Sequence, residues 1–348
     1  MRFGMHLFLS CAGGQSPRQR YREAIEQAVA AERLGFESVW PVEQHFDQSV
    51  SALSCPTLLL AAIAERTSRL RLGTGIVQLP LSHPLRVAEE LATLDVLSGG
   101  RVEFGVGRGS NPLQYAGFGA PMAGSRERLA EGLQLIQRAW TQDHFWFAGK
   151  HYDAKDVSLS PRPVQWPHPP IRVAANTPDT ARWAGESGYA AMFATNINPF
   201  PKLRNLLAIY HAARSQSGAP ARRDDVTLLM PVYVAETDAQ ARSELEPSVR
   251  QHAQLTAALL QRAATACSSE AERTALVNLV SHVRQLDVTT VQDSMGLVGS
   301  AETCRARLAQ LREDYDPGRI IAWFDFGGLV PHAQVRQSMR RFAEEVAC

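Results

Sequence analysis

Cysteine is scarce in this sequence, neither sign of charge is in excess, and no apolar run approaches the roughly 20 residues that cross a bilayer. Lys and Arg number 36 against 35 Asp and Glu, a formal charge of +1. Such a balance gives no electrostatic footprint for nucleic acid or an anionic membrane. Cys11, Cys55, Cys267, Cys304 and Cys348 show neither metal-ligand spacing nor a disulfide framework. An odd, scattered set fits a reducing, cytoplasmic protein. The chain opens as a strand, Arg2 to Phe8, without the basic start and cleavage site of a signal peptide. Also missing are a Walker A lysine motif, a G-x-S-x-G elbow and an H-E-x-x-H pair. The ten histidines lack metal-ligand spacing, so no metal site is expected.

What is present is apolar material for a large core: 45% of the 348 residues are hydrophobic and 20% charged, which excludes disorder. The length fits two domains or one α/β barrel. Strands are predicted at Arg2–Leu9, Ser38–Val42, Leu70–Val77, Val102–Val106, Ile171–Ala175, Ala190–Phe193, Val226–Val234 and Ile320–Phe326. Helical faces lie between and after them, among them Val87, Leu91 and Leu94; Leu129, Leu133, Ile136 and Trp140; and Val335, Met339, Phe342 and Val346. Repeated strand–helix units predict a parallel sheet wrapped by helices. About eight units fit a closed (β/α)8 TIM barrel, with an open doubly wound sheet as the alternative. The chain is read as a single barrel domain, 1–348, with excursions at about 141–170 and 244–298. The first holds five prolines that no helix could continue, with a hairpin at Phe145–Asp153. The second is a helical insertion, either a lid or wall at the barrel mouth or a dimerisation or surface helix pair.

Four segments carry candidate chemistry. In Trp40-Pro-Val-Glu-Gln-His-Phe46, His45 follows strand two and so falls at the C-terminal rim, where barrel active sites lie. It could serve as general base or hydrogen-bond donor, or simply bond a neighbouring loop. Glu43 either shares that work or orients His45. In Leu72-Gly-Thr-Gly-Ile76, glycines inside a strand mark a bulge or the close approach of a ligand, so Gly75 could admit a flat ring against the backbone. Gly105-Val-Gly-Arg-Gly-Ser110 offers small residues, exposed amides and the Arg108 guanidinium, a set suited to phosphate. It is not the dinucleotide fingerprint. Finally, strand five runs into a helix capped by Asn176 or Thr177 with Pro178 at its first position. This is a good cap, and a helix N-terminus can also receive phosphate. Phe8, Trp40, Phe46, Trp323 and Phe324 fall at strand ends and suit a small hydrophobic substrate or ordinary packing.

In order, these segments resemble the bacterial luciferase-like flavin monooxygenase family over nearly the whole chain. The likeness includes Arg66–Gly75, His83–Glu90, Leu94–Arg101, Gly105–Gly109, Gly327-Gly328-Leu329 and Phe342–Val346. The resemblance implies a TIM barrel with insertions that binds FMN, or the deazaflavin F420, across its mouth. It implies that Arg108, with Ser110, Asn176 and Thr177, grips the flavin phosphate. Thr74 and Gly75 would lie against the isoalloxazine, with a cis or visibly distorted peptide at Gly75–Ile76. His45 and Glu43 would be the catalytic pair. The luciferase subunit has two adjacent histidines after the glutamate; here the first position is Gln44, which sets the chain apart from light-emitting aldehyde chemistry. His45-Phe46 matches the register of the F420 enzymes. The implied activity is oxygenation of a small hydrophobic organic substrate by reduced FMN and O2 through a C4a-peroxyflavin. The implied partners are a separate flavin reductase and a second copy of the chain. The alternatives are an F420-dependent oxidoreductase and a non-enzymatic flavin-binding protein.

Overall fold

The computed structural model describes residues 1–218, 222, 224–266 and 270–347. Cys267 and Cys348 lie outside the described residues; Cys11, Cys55 and Cys304 are free thiols. The first half runs β1 (Arg2–Leu7), α1 (Pro17–Arg33), β2 (Ser38–Pro41), α2 (Pro56–Ala64), β3 (Arg71–Gly73), β4 (Val77–Gln78), α3 (Pro84–Ser98), β5 (Val102–Gly107), α4 (Pro112–Gly117) and α5 (Ser125–Thr141). It continues with β6 (Phe145–Ala148), β7 (Asp153–Val157), β8 (Ile171–Ala174), α6 (Pro178–Glu186), β9 (Ala190–Ala194), α7 (Phe200–Gln216) and β10 (Val226–Ala235). The remainder is α8 (Asp238–Ala266), α9 (Glu270–Arg284), α10 (Val288–Ser294), β11 (Leu297–Ser300), α11 (Ala301–Tyr315), β12 (Arg319–Trp323) and α12 (His332–Arg341).

The sheet closes on itself. Parallel pairing runs β1–β2–β3–β5–β8–β9–β10–β12 and returns from β12 to β1, where Phe3 faces Ile320. This is the TIM barrel expected from the strand–helix rhythm. β11 extends the outer end of β10, and β6 pairs with β7 as an antiparallel hairpin where one was expected.

Two packed layers follow from the two-residue period of a strand. Outward residues such as Met5, Leu7, Ile320 and Ala322 join the helices in the main core. Inward residues Trp40, Met192, Ala194, Leu229 and Ile321 form a separate cluster inside the barrel. Local sequence sets the element ends: Ser16 caps α1 by accepting from the Gln19 amide, and Gly99, at φ 64, closes α3 in the left-handed conformation. The buried Asp95 carboxylate accepts from the Val102, Val164 and Gln165 amides and so ties the proline-rich excursion to the barrel. The helical insertion begins at Asp238, slightly before the expected boundary, and α8 runs over the barrel mouth.

Candidate functional site

The C-terminal ends of the strands surround a cavity of about 320 Å³, within the size range of small-molecule sites. Its walls come from the inward positions: His6 and Phe8 of the β1 segment, Val42 and Gln44 beyond β2, Gly75 and Ile76, Ala174 and Asn176, and Trp323. α8 completes the enclosure with His252, Leu255, Thr256 and Leu259. No Asp, Glu, Lys or Arg is among the lining residues.

Trp40 lies below the cavity. Its ring fills the barrel below the cavity, and a Cβ at Gly73 would stand 2.3 Å from it, so only glycine fits there. Its indole N–H donates to Ser38 Oγ at 2.8 Å, satisfying the one polar atom the ring buries. Beneath it lies an ionic layer in which Glu103 meets Arg71, Arg172 and Arg319.

Two histidines stand at the cavity's aromatic side. The His6 ring meets Trp323 edge-on, centroids 5.1 Å apart, and His252 meets the same indole at 5.7 Å. Trp323 is itself fixed by donation from its indole N–H to the Asp325 carbonyl at 3.0 Å. Burial pushes both imidazoles down to about 4, against an opposing hydrogen bond to the Trp40 backbone at His6. Both are therefore neutral at pH 7, each with one donor and one acceptor nitrogen. His6 Nδ1 and Asn196 Oδ1 are buried without a hydrogen-bond partner.

Outside the lining, one corner of the rim is suited to an anion, and Asn176 joins it to the cavity. β5 and β8 are neighbours, with Val106 opposite Val173, so the turn after β5 and the N-terminus of α6 share one corner of the rim. Thr177 is the cap: its Oγ1 accepts from the Thr180 amide at 3.4 Å, and Pro178 takes the first helical position. Asn176 is the residue before it; it lines the cavity and accepts from the Ala194 amide at 2.8 Å. Gly109 turns at φ 71, with the Gln78 side chain where a Cβ would sit. Arg108 is half-buried and its carbonyl accepts from Tyr115 Oη, while its guanidinium has no hydrogen bond or ion pair among the described residues. Ser110 is exposed beside it.

Several expected positions fall elsewhere. His45 does not line the cavity. Trp40 points inward, so Val42 and Gln44 continue inward while Glu43 and His45 face the other way. His45 Nε2 lies 2.9 Å from Glu43 Oε1, and its ring packs edge-on against Phe118 in a groove shared with α2 and α3. Glu43 in turn accepts from the Gln78 amide at 3.2 Å, bracing the segment after Ile76. Thr74 is fully buried and donates to the Gly105 carbonyl at 2.6 Å, away from the cavity. Gly75 does line it, and the Gly75–Ile76 peptide is cis, as the resemblance implied. Of the five aromatics, Phe8 and Trp323 face the cavity. Trp40 lies below it, Phe46 is 62% exposed outside it, and Phe324 points outward between Phe36 and Phe342.

Cavity-lining residues that the sequence reading did not single out include His6, His252 and Asn196. A period-two reading of β1, with Gly4, His6 and Phe8 on one face, would have found the first.

The family described as luciferase-like monooxygenase matches residues 1–316. The oxygenase component of the flavin-dependent trigonelline monooxygenase of Acinetobacter baylyi is 30% identical over 247 residues, 70% of this chain and 67% of that protein. The uncharacterized protein y4wF of Sinorhizobium fredii is 40% identical over 186 residues, 53% of this chain. The chain thus spans about half the length of that relative, 54%. Among solved structures, the oxygenating constituent of 3,6-diketocamphane monooxygenase from Pseudomonas putida, in complex with FMN, superposes with a TM-score of 0.83 at 22% identity. That match covers 100% of this chain and 98% of the other.

Proposed function

Because this chain belongs to the luciferase-like monooxygenase family, we propose that it is the oxygenase component of a two-component flavin system. It takes reduced FMN from a separate reductase and oxygenates a small, largely apolar organic molecule. In the overall reaction one atom of O2 enters the substrate, the other leaves as water, and reduced FMN becomes FMN. The observation that carries this reading is the pairing of a largely apolar cavity with Arg108, whose guanidinium has no partner among the described residues, on the turn next to a capped helix N-terminus. A flat ring with a phosphate tail needs both environments in that order. The relative that is named an oxygenase component and the related fold that holds FMN point the same way.

The residues present fit FMN. Arg108, Ser110, Asn176 and Thr177 would hold its phosphate end, and Gly75 and Ile76 would present backbone to its ring. FMN, when bound, supplies the electrons and the reactivity toward O2; the protein orients the substrate and excludes water. Gln44 offers its amide at the cavity wall. Glu43 and His45 act from behind, holding the Gln44 and Gln78 segments in register. Leu58, Leu97 and Phe118 leave an apolar face exposed beside the His45 groove, which suits a second copy of the chain.

The test is a spectroscopic titration of the purified protein with FMN, reduced FMN and F420, followed by O2 uptake with NADH and a flavin reductase. Binding of reduced FMN with substrate-dependent uptake supports the proposal. Binding of F420 alone would replace it with an F420-dependent oxidoreductase. FMN binding without uptake across a substrate panel would leave a flavin-binding protein.

A further inference from the structure

Where flavin and substrate share this cavity, something must distinguish the substrate, and the lining gives few choices. Among the described residues it carries no Asp, Glu, Lys or Arg, so a charged ligand would lose hydration with no counter-ion to replace it. Most of the wall beside α8 is apolar: Phe8, Leu255, Leu259 and Trp323. Into it project His6 and His252, from elements nearly 250 positions apart in sequence, both set against the one indole of Trp323.

Packing alone does not account for the His6 imidazole, while His252 also packs on Phe326 with centroids 4.2 Å apart. Phenylalanine would fill the His6 site without stripping a polar ring of water, and Phe8 and Trp323 already form its surroundings, with centroids 4.8 Å apart. Instead His6 Nδ1 is buried with no partner, in a side chain only 5% exposed. Buried polar atoms are almost always satisfied, and one left open at a cavity wall is a place for a ligand atom. At His252 the nearest side-chain partner is Thr256 Oγ1, at a long 3.5 Å. His252 belongs to the helix that closes the mouth, whereas His6 belongs to the barrel wall.

We propose that His6 and His252 are the specificity-determining residues of the substrate half of this cavity, selecting an uncharged, ring-sized apolar molecule by a hydroxyl or carbonyl oxygen. This rests on the reading of the cavity as a flavin monooxygenase site. A neutral imidazole presents one donor and one acceptor, so a hydroxyl can satisfy either nitrogen and a carbonyl one. Both rings stay neutral across the physiological range because burial has lowered their proton affinity. The Asn196 amide, also open on its Oδ1 side, lines the same cavity and adds a further polar contact.

The experiment compares four probes of one shape: p-cresol, toluene, benzoate and benzylamine. Their dissociation constants are measured by ligand-observed NMR on the full chain, with and without saturating FMN. The proteins are wild type, His6→Phe and His252→Phe. The wild type should bind p-cresol roughly three- to tenfold more tightly than toluene, the worth of one neutral hydrogen bond. Benzoate and benzylamine should bind more weakly than either. Each variant should move the p-cresol to toluene ratio toward one while keeping toluene affinity. If His6→Phe fails to fold, His252→Phe, on a helix outside the barrel, carries the comparison. An unchanged ratio in the folded variants, or ionic probes binding as well as p-cresol, would overturn the inference. FMN binding is scored separately, so a protein that ignores FMN but keeps the histidine-dependent ratio would overturn the functional reading, while a protein that binds FMN without that ratio would overturn this inference alone.

Discussion

Glu103 Oε2 lies 2.6 Å from Arg319 Nη1 at the closed end of the barrel, with both side chains essentially removed from water. The same carboxylate receives Arg172 Nε at 2.9 Å and Arg71 Nε at 2.7 Å. Burial alone would raise the Glu103 pKa, but Arg172, Arg319 and Arg71 outweigh it and hold the carboxyl well below its usual range. One anion therefore neutralises the centre of a cluster of three cations. Glu103→Gln keeps the volume and removes the charge, which leaves buried guanidiniums uncompensated. Breaking a buried pair in this way costs about 3–5 kcal/mol. Urea unfolding of the variant should show a loss of that order, and a loss below about 1 kcal/mol would mean that Asp224 and Glu37 carry the arginines instead.

The barrel was legible because its strands are buried on both faces and read as short apolar runs separated by helical ones. What the run pattern hides is which face of a strand looks inward. Trp323 and Phe324 are adjacent, yet one meets the cavity and the other the helix layer. The same alternation separates Gln44 from His45. Extending the inward series from Ser38 and Trp40 gives Val42 and Gln44, so the residue type suggested His45 while the register favoured its neighbour. The Thr177 cap was readable because a Thr-Pro helix start is a local signal. His252 was not, since its place depends on how α8 docks over the mouth, a contact with no local sequence signature.

Arg108 is expected to be the phosphate anchor. Its guanidinium has no ion-pair partner among the described residues, so binding need not break an existing bridge. Losing a charge-assisted contact costs about 1.5–3 kcal/mol, roughly ten- to a hundredfold in affinity. Arg108→Ala should weaken FMN by that factor and leave riboflavin within about twofold, because riboflavin lacks the phosphate. Equal FMN affinity in both proteins would remove the assignment.

Gln44 and His45 make opposite claims on activity. Gln44 faces the cavity, whereas His45 is turned toward Glu43 and Phe118. Gln44→Ala is expected to slow substrate-dependent O2 uptake by about tenfold, the loss of one hydrogen bond in the reacting complex. His45→Ala is expected to stay within about threefold, with its main effect a small drop in stability from the lost Glu43 contact. A general base would behave otherwise, losing about a hundredfold or more. Should His45→Ala lose that much while Gln44→Ala does not, the rim histidine acts on the reaction after all, by a movement that brings it inward.

Acid should destabilise this protein through the buried His6 and the half-buried His252. His6 and His252 titrate near 4 in the folded chain, lowered from 6.5 by burial. Between those values the unfolded chain takes up protons that the folded chain refuses. The contribution of each neutral ring is thus complete above about 6.5 and is lost as pH falls toward 4, at about 1.4 kcal/mol per pH unit. Asp325 runs the other way: burial outweighs Arg20 and raises its carboxyl to about 6, so the folded state gains protons, and stability, as pH falls. That opposing slope is common to wild type and variant and drops out of their difference. Urea unfolding of wild type and His6→Phe at pH 7 and pH 5 should therefore diverge. The wild type should lose about 2 kcal/mol more than the variant over the interval. Equal losses would show that His6 is already free to take a proton in the folded state, and that its ring is wetter than its surroundings suggest.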